Sequence, residues 1–251
     1  MKELVKRHLP FVVTLGRGIR TIKNRMLWQR RRNWTLQQVF QNAYDGMSSL
    51  ESASGGGSAL SATARLREEL PTILKKFGVK SLLDAPCGDF HWMSRIQLEL
   101  DVYYGCDIVA ELIEKNRRKY ENKHRQFLNL DITKDRLPKV DMILCRDCLV
   151  HFSYANIFAA IDNFKKSGSK LLMTTTFTQR GKNKDIITGD WTPINLCRPP
   201  FCFGEPIRLI NEKYTGENGT YADKSLALWD LTEISSRPEI RNDLMLAEIR
   251  R

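Results

Sequence analysis

Between Gly78 and Thr175 the sequence alternates between short apolar runs and longer stretches with helical spacing, and this alternation constrains the fold more than any other feature. Lys80–Asp84, Val102–Asp107, Gln126–Leu130, Val140–Cys145 and Lys170–Thr175 have strand length and apolar character. His91–Leu100, Ala110–Tyr120 and Tyr154–Lys166 lie between them and read as helices. A strand followed by a crossover helix returns parallel and right-handed, so the pattern predicts an α/β fold with a mostly parallel sheet. The amphipathic segment Leu66–Phe77 precedes the series and stops at Gly78, as a helix does at a glycine cap. Pro206–Glu212 and Ser225–Leu231 read as two more strands joined through the Gly216/Gly219 turn region, a hairpin-like return that adds an antiparallel edge strand.

The 251 residues suffice for one large domain with an appendage, and 42% hydrophobic with 27% charged residues is the balance of a globular chain. No apolar run reaches the length of a membrane-spanning helix. Residues 1–32 hold ten Lys or Arg against the single acid Glu3, so +9 of the net +11 sits in that arm and the other 219 residues carry +2. The expected layout is therefore a basic helical N-terminal extension over 1–60, ending in the Gly/Ser-rich linker Ser52–Ser58, and a Rossmann-like domain over 61–251. The arm suits an anionic membrane surface, a nucleic acid or a partner, and equally a solvated helix face. It lacks the apolar core and cleavage site of a secretory signal. The expected location is cytoplasmic, peripheral to a membrane if the arm docks there.

In such a sheet the ligand lies beyond the carboxyl ends of the strands, where the strand order reverses. Asp84-Ala-Pro86-Cys87-Gly88-Asp89-Phe90 follows the first strand, and Gly88 lets a ligand approach the backbone ahead of a helix N-terminus. Asp107 ends the second strand, nineteen residues after Gly88, a distance at which an acid binds the two hydroxyls of a ribose. Asp131 follows the third strand and is placed to accept from an adenine amino group, with Ile132 over the ring. A lone strand-end Asp is often just a cap, but three on successive strands carry weight. Cys145-x-x-Cys148 with Cys197-x4-Cys202 has the composition of a zinc site, yet the first pair reads better as a strand entering a loop, and no metal is expected.

These segments resemble the motifs of class I S-adenosylmethionine-dependent methyltransferases, from about Ser81 to Phe177 and more loosely to Ile234. Leu83–Phe90 is similar to the first motif, Tyr104–Ile108 to the second, Leu128–Ile132 to the third, and Val140–Phe152 to the segment around the fourth strand. Pro86 and Phe90 stand where the family has two further glycines, a departure that counts against a pyrophosphate cofactor. The Pro-Cys-Gly-Asp-Phe loop, the Ser-Gly-Gly-Gly-Ser stretch and Gly189-Asp190-Trp191 resemble a bacterial small-molecule subgroup. The resemblance implies S-adenosyl-L-methionine as cofactor, held by Asp84, Pro86, Cys87, Gly88, Asp107, Ile108, Asp131, Ile132 and Arg146.

In-line methyl transfer to a hydroxyl needs a base and an aligned acceptor. His151 is the first candidate and Asp147 the second, although either residue type also orients loops or caps turns. Asp89 and His91 flank the first motif and equally read as helix caps, and Trp92 reads as core. The insert of about 177–205 is longer than an ordinary connection and supplies acceptor candidates Asp190, Trp191 and Arg198. The acceptor expected is a hydroxylated small molecule or glycan precursor. Two alternatives are an RNA or protein methyltransferase using the basic arm, and an inactive methyltransferase fold serving as a binding protein. Against the nucleic-acid reading, no (Asn/Asp/Ser)-Pro-Pro-aromatic motif follows the fourth strand, and Pro199-Pro200-Phe201 comes too late.

Overall fold

The computed structural model describes residues 33–47 and 51–234, so the expected basic helix over 1–32 and its anionic partners lie outside the described residues. Among the described residues four α-helices and seven strands follow in chain order: α1 (Leu36–Asp45), α2 (Ala64–Lys76), β1 (Ser81–Asp84), β2 (Val102–Asp107), α3 (Ala110–Tyr120), β3 (Arg125–Asn129), β4 (Met142–Cys145), α4 (Tyr154–Lys166), β5 (Leu171–Phe177), β6 (Arg208–Asn211) and β7 (Lys224–Asp230).

The strands form one sheet in the order β3-β2-β1-β4-β5-β7-β6. The first five strands are mutually parallel, and β7 runs antiparallel to both β5 and β6, leaving β6 outermost. The expected fold class, a Rossmann-like sheet with an antiparallel edge, is met. The final strand inserts between the fifth and the sixth instead of adding outside them. Strand order reverses between β1 and β4, which pair Asp84 with Leu144, so the loops leaving these strands open side by side.

Burial explains why the central strands read as unbroken apolar runs. Every residue of β4 is buried, because helices cover both faces of the sheet. On one face Leu83, Ile143 and Leu172 pack with Ile157, Ile161 and Phe164 of α4. On the other, Leu82, Met142 and Met173 pack with Leu66, Leu70, Ile73 and Leu74, the single stripe that α2 presents at helical spacing. Helix α1 begins with a reciprocal cap: Thr35 Oγ1 accepts from the Gln38 N–H at 3.2 Å, and Gln38 Oε1 accepts from the Thr35 N–H at 2.8 Å.

Two expectations are corrected. His91–Leu100 forms no α-helix, only the 3-10 turn Met93–Arg95. Phe90 enters it in the left-handed region (φ 57°), and Ile96, Leu98 and Leu100 are shielded while the residues between them are exposed, the two-residue period of extended chain. Ser52–Ser58 is no free spacer either: Ser52 is 1% exposed and the segment is bonded onto the loop after β1.

Candidate active site

The loops leaving β1, β2, β3 and β4 surround a cavity of about 260 Å³ at the carboxyl edge of the sheet. Asp84, Pro86, Cys87, Gly88, Asp107, Ile108, Asp131, Ile132, Arg146, Asp147 and His151 all line it, so the sequence's cofactor and catalytic candidates converge on one wall. Trp92, read as core, is buried and also reaches this wall.

Asp107 sits at the centre. Its Oδ1 accepts from the Val109 N–H at 2.9 Å and its Oδ2 from the Gly88 N–H at 3.2 Å. Burial pushes its carboxyl up to about 6 against those N–H donors. Each oxygen keeps a further lone pair, so the group is suited to accept from a pair of ligand hydroxyls. Asp84 is deeper: the Tyr103 hydroxyl donates to its Oδ2 at 2.6 Å, and burial pushes it up to about 7. Asp131 is partly engaged, its Oδ1 accepting from the Thr133 N–H (2.9 Å) and hydroxyl (2.6 Å), while Oδ2 has only the exposed Lys134 at 3.3 Å. With Ile108, Leu130 and Ile132 beside them, these acids give an apolar slot with carboxylates at its edge. That donor set fits an adenosyl group bearing a positive sulfur.

Gly88 meets the chain itself as well as the cavity. Its φ is +54°, and a Cβ there would sit 2.0 Å from Ser54 Oγ, so it is the chain's own Ser52–Ser54 segment that approaches this backbone. The Asp89 carboxylate accepts from the Ser52 hydroxyl (2.9 and 3.0 Å), the Ala53 N–H (2.8 Å) and the Ser54 hydroxyl (3.2 Å), while the Asp89 N–H donates to Ser54 Oγ at 2.9 Å. His91 lies beside this clasp, its Nε2 3.1 Å from Glu51. With no α-helix following the loop, the expected anion-binding helix N-terminus is absent.

Beyond β4 lies an ionic quartet in which Arg146, Glu212 and Lys224 are buried and Asp147 is partly exposed. Arg146 reaches Glu212 at 2.7 Å and Asp147 at 3.2 Å, and Lys224 reaches Asp147 at 2.6 Å and Glu212 at 3.3 Å. Arg146 also donates to the Gly57 carbonyl at 2.9 Å and lies over the Trp92 ring at 5.6 Å. A Cβ at Gly57 would come 2.9 Å from Asp147 Oδ2, which is why this crossing needs glycine. Burial alone would raise the Asp147 carboxyl, but Arg146 and Lys224 outweigh it and hold the group at about 2. A carboxylate held that low is a poor proton acceptor at neutral pH.

His151 has the properties of a base. Its Nδ1 is 2.9 Å from the Asp190 carbonyl, which can only accept, so Nδ1 carries the proton and the neutral ring leaves Nε2 with a lone pair. Burial lowers its pKa from the ordinary 6.5, favouring that neutral form. The insert is fastened to this loop by the Gly189 N–H donating to the His151 carbonyl (2.8 Å) and the Thr192 N–H to the Val150 carbonyl (3.0 Å). Of the insert only Gly189 reaches the cavity wall; Asp190, Trp191 and Arg198 do not, and the side of Arg198 is exposed.

Sequence reasoning missed the cavity's roof. Leu36, Phe40, Ala43, Tyr44 and Met47, from α1 and the turn after it, line it from above. Phe40 packs on Phe152 at 5.7 Å, and Lys115 donates to the Tyr44 hydroxyl at 2.8 Å. The capping pair Thr35/Gln38 ahead of an apolar stripe was the available signal. Glu212 and Lys224 carried none. Among the described residues no group of three or more His, Cys, Asp or Glu side chains is placed to hold a metal ion, and no helix is long and apolar enough to cross a membrane.

No family profile and no curated protein matches the chain. Solved structures do. A SAM-dependent methyltransferase from Leishmania major is 12% identical over 81% of this chain and 89% of its own, with a TM-score of 0.57. The N-methyltransferase NodS from Bradyrhizobium japonicum WM9, in complex with S-adenosyl-L-homocysteine, is 13% identical over 76% of this chain and 97% of its own, with a TM-score of 0.55. The methyltransferase domain of bacterial CtHen1-C is 12% identical over 67% of this chain and 98% of its own, at 0.50. The likeness establishes the architecture: this chain has the Rossmann-like fold of the S-adenosylmethionine-dependent methyltransferases.

Proposed function

We propose that the protein is an S-adenosyl-L-methionine-dependent methyltransferase whose acceptor is a hydroxylated small molecule or glycan precursor. The observation that carries this reading is the Asp107 carboxylate, fixed by the Gly88 and Val109 N–H groups and opening on a cavity at the strand-order reversal. Asp107 binds the ribose hydroxyls, Asp131 Oδ2 and Ile132 take the adenine, and Asp84, Pro86, Cys87, Gly88, Ile108 and Arg146 wall the remainder. When bound, S-adenosyl-L-methionine supplies an electrophilic methyl group on a sulfonium.

His151 Nε2 takes the acceptor's hydroxyl proton as that oxygen attacks, and the Asp190 carbonyl keeps the ring in the competent tautomer. Asp147, held ionised by Lys224 and Arg146, serves as a fixed negative charge that favours the imidazolium formed in this step. The roof of α1 narrows what enters, which supports a small acceptor moiety over a folded macromolecule. Titration calorimetry with S-adenosylmethionine and S-adenosylhomocysteine tests the reading. Wild type binds both, and Asp107→Ala weakens binding by about 10- to 100-fold, as expected for hydrogen bonds to a charged acceptor. Binding left intact by the substitution overturns it, as does a wild type that binds neither.

A further inference from the structure

Resting on the methyltransferase reading above, the geometry points to a second acceptor subsite outside the cavity: an aromatic platform headed by Trp191 that holds one sugar ring of an oligosaccharide while a hydroxyl of the same chain reaches His151. Trp191 is 40% exposed, whereas Trp92 and Trp229 are buried. Yet it is firmly held. Its ring meets Tyr221 at 4.8 Å and 70° and Phe177 at 5.9 Å and 86°. Behind them the Arg180 guanidinium lies over Tyr221 at 5.4 Å and is anchored to Asp223 at 2.8 Å. Neither aromatic partner stacks in parallel on the indole. The side chain is thus held by two ring contacts while 40% of the residue stays exposed, the arrangement of a rigid recognition surface.

Its place in the chain ties it to the chemistry. Gly189 lines the cavity, the Asp190 carbonyl holds the His151 ring at 2.9 Å, and Trp191 comes next. Two residue steps span at most about 7 Å, so the platform stands beside the cavity wall and cannot drift from the base. An acceptor that uses both must offer a reacting hydroxyl at one point and an apolar face a ring or more away. A single phenol meets only one of these demands and would bury its ring in the cavity. An oligosaccharide meets both in every unit: hydroxyls around the rim and a face of C–H groups that rests on the negative face of an indole.

The test is transfer of labelled methyl from S-adenosylmethionine to cellotetraose, chitotetraose, maltotetraose and mannotetraose and to their monosaccharides. Calorimetry of S-adenosylmethionine is run alongside on every variant. Wild type is expected to label at least one tetrasaccharide with a lower KM than its monosaccharide. Trp191→Ala raises that KM about tenfold or more while kcat and cofactor affinity hold, the signature of lost ground-state binding, and Trp191→Phe restores most of it. The inference is overturned by an unchanged KM in Trp191→Ala, by equal KM for tetrasaccharide and monosaccharide, or by a cofactor-binding wild type that labels no sugar. Failure of the methyltransferase reading itself shows separately, as a wild type without cofactor affinity.

Discussion

Replacing Lys224 by Met removes one buried cation from a set of two cations and two anions of which only Asp147 is partly exposed. Among the described residues Lys224 is the only partner of Asp147 Oδ2 nearer than 3 Å (2.6 Å), and it also approaches Glu212 at 3.3 Å. Without it, Arg146 alone faces two carboxylates, and the pocket holds one uncompensated negative charge. Removing one member of a buried pair costs about 3–5 kcal/mol. For a chain of this size that lowers the melting midpoint by about 6–20 °C. Glu212 identifies the partner to change with it, because its Oε1 is buried with no hydrogen-bond partner and its other oxygen contacts only Arg146 and Lys224. The double variant Lys224→Met/Glu212→Gln leaves the neutral Arg146–Asp147 pair and is expected to recover at least half of the loss. Urea unfolding at neutral pH is measured on the wild type, Lys224→Met, Glu212→Gln and the double variant. A single substitution costing under about 1 kcal/mol, or a double variant no better than the sum of the two singles, refutes the charge-balance argument.

The remaining predictions concern the base and the pH dependence of stability. His151→Asn should lower turnover on any sugar labelled by the wild type by about 10²- to 10⁴-fold with cofactor affinity intact; unchanged turnover removes His151 from the chemistry. Because the Asp84 carboxyl is raised from its ordinary 3.8 to about 7, its contribution to stability is complete below pH 3.8 and is lost as pH rises through 7. The difference corresponds to about 4 kcal/mol at most. Asp84→Asn keeps a partner for Tyr103 without a charge to bury, so its melting midpoint should fall less between pH 5 and about pH 8.5 than that of the wild type. Parallel curves would show that ionised Asp84 carries no such penalty.

Much of this molecule is written locally. The apolar runs at the heart of β1, β4 and β5 declare themselves because strands covered on both faces have no solvent-facing side to alternate with. The acids Asp84, Asp107 and Asp131 were found because a sheet of this kind places its ligand at strand ends, and chain order alone fixes where those ends are. The helix expected at His91–Leu100 does not form because Ile96, Leu98 and Leu100 carry a two-residue period, and because its candidate cap, Asp89, is engaged elsewhere. Its carboxylate is mostly taken by Ser52, Ala53 and Ser54, which lie 35 to 37 residues away in sequence.

Sequence by itself determined the parallel core, the positions of the strand-end acids and the histidine beyond β4, since periodicity and the order of elements are properties of neighbouring residues. Only the tertiary structure decided that β7 slots between β5 and β6, that α1 roofs the cavity, and that Lys224 and Glu212, 77 and 66 residues from their partners Asp147 and Arg146, close the ionic quartet. A lone Lys or Glu looks alike in sequence whether it meets water or a buried counter-charge. Which of the two it meets is set by the packing of distant segments, and that packing leaves no mark on the residues beside it.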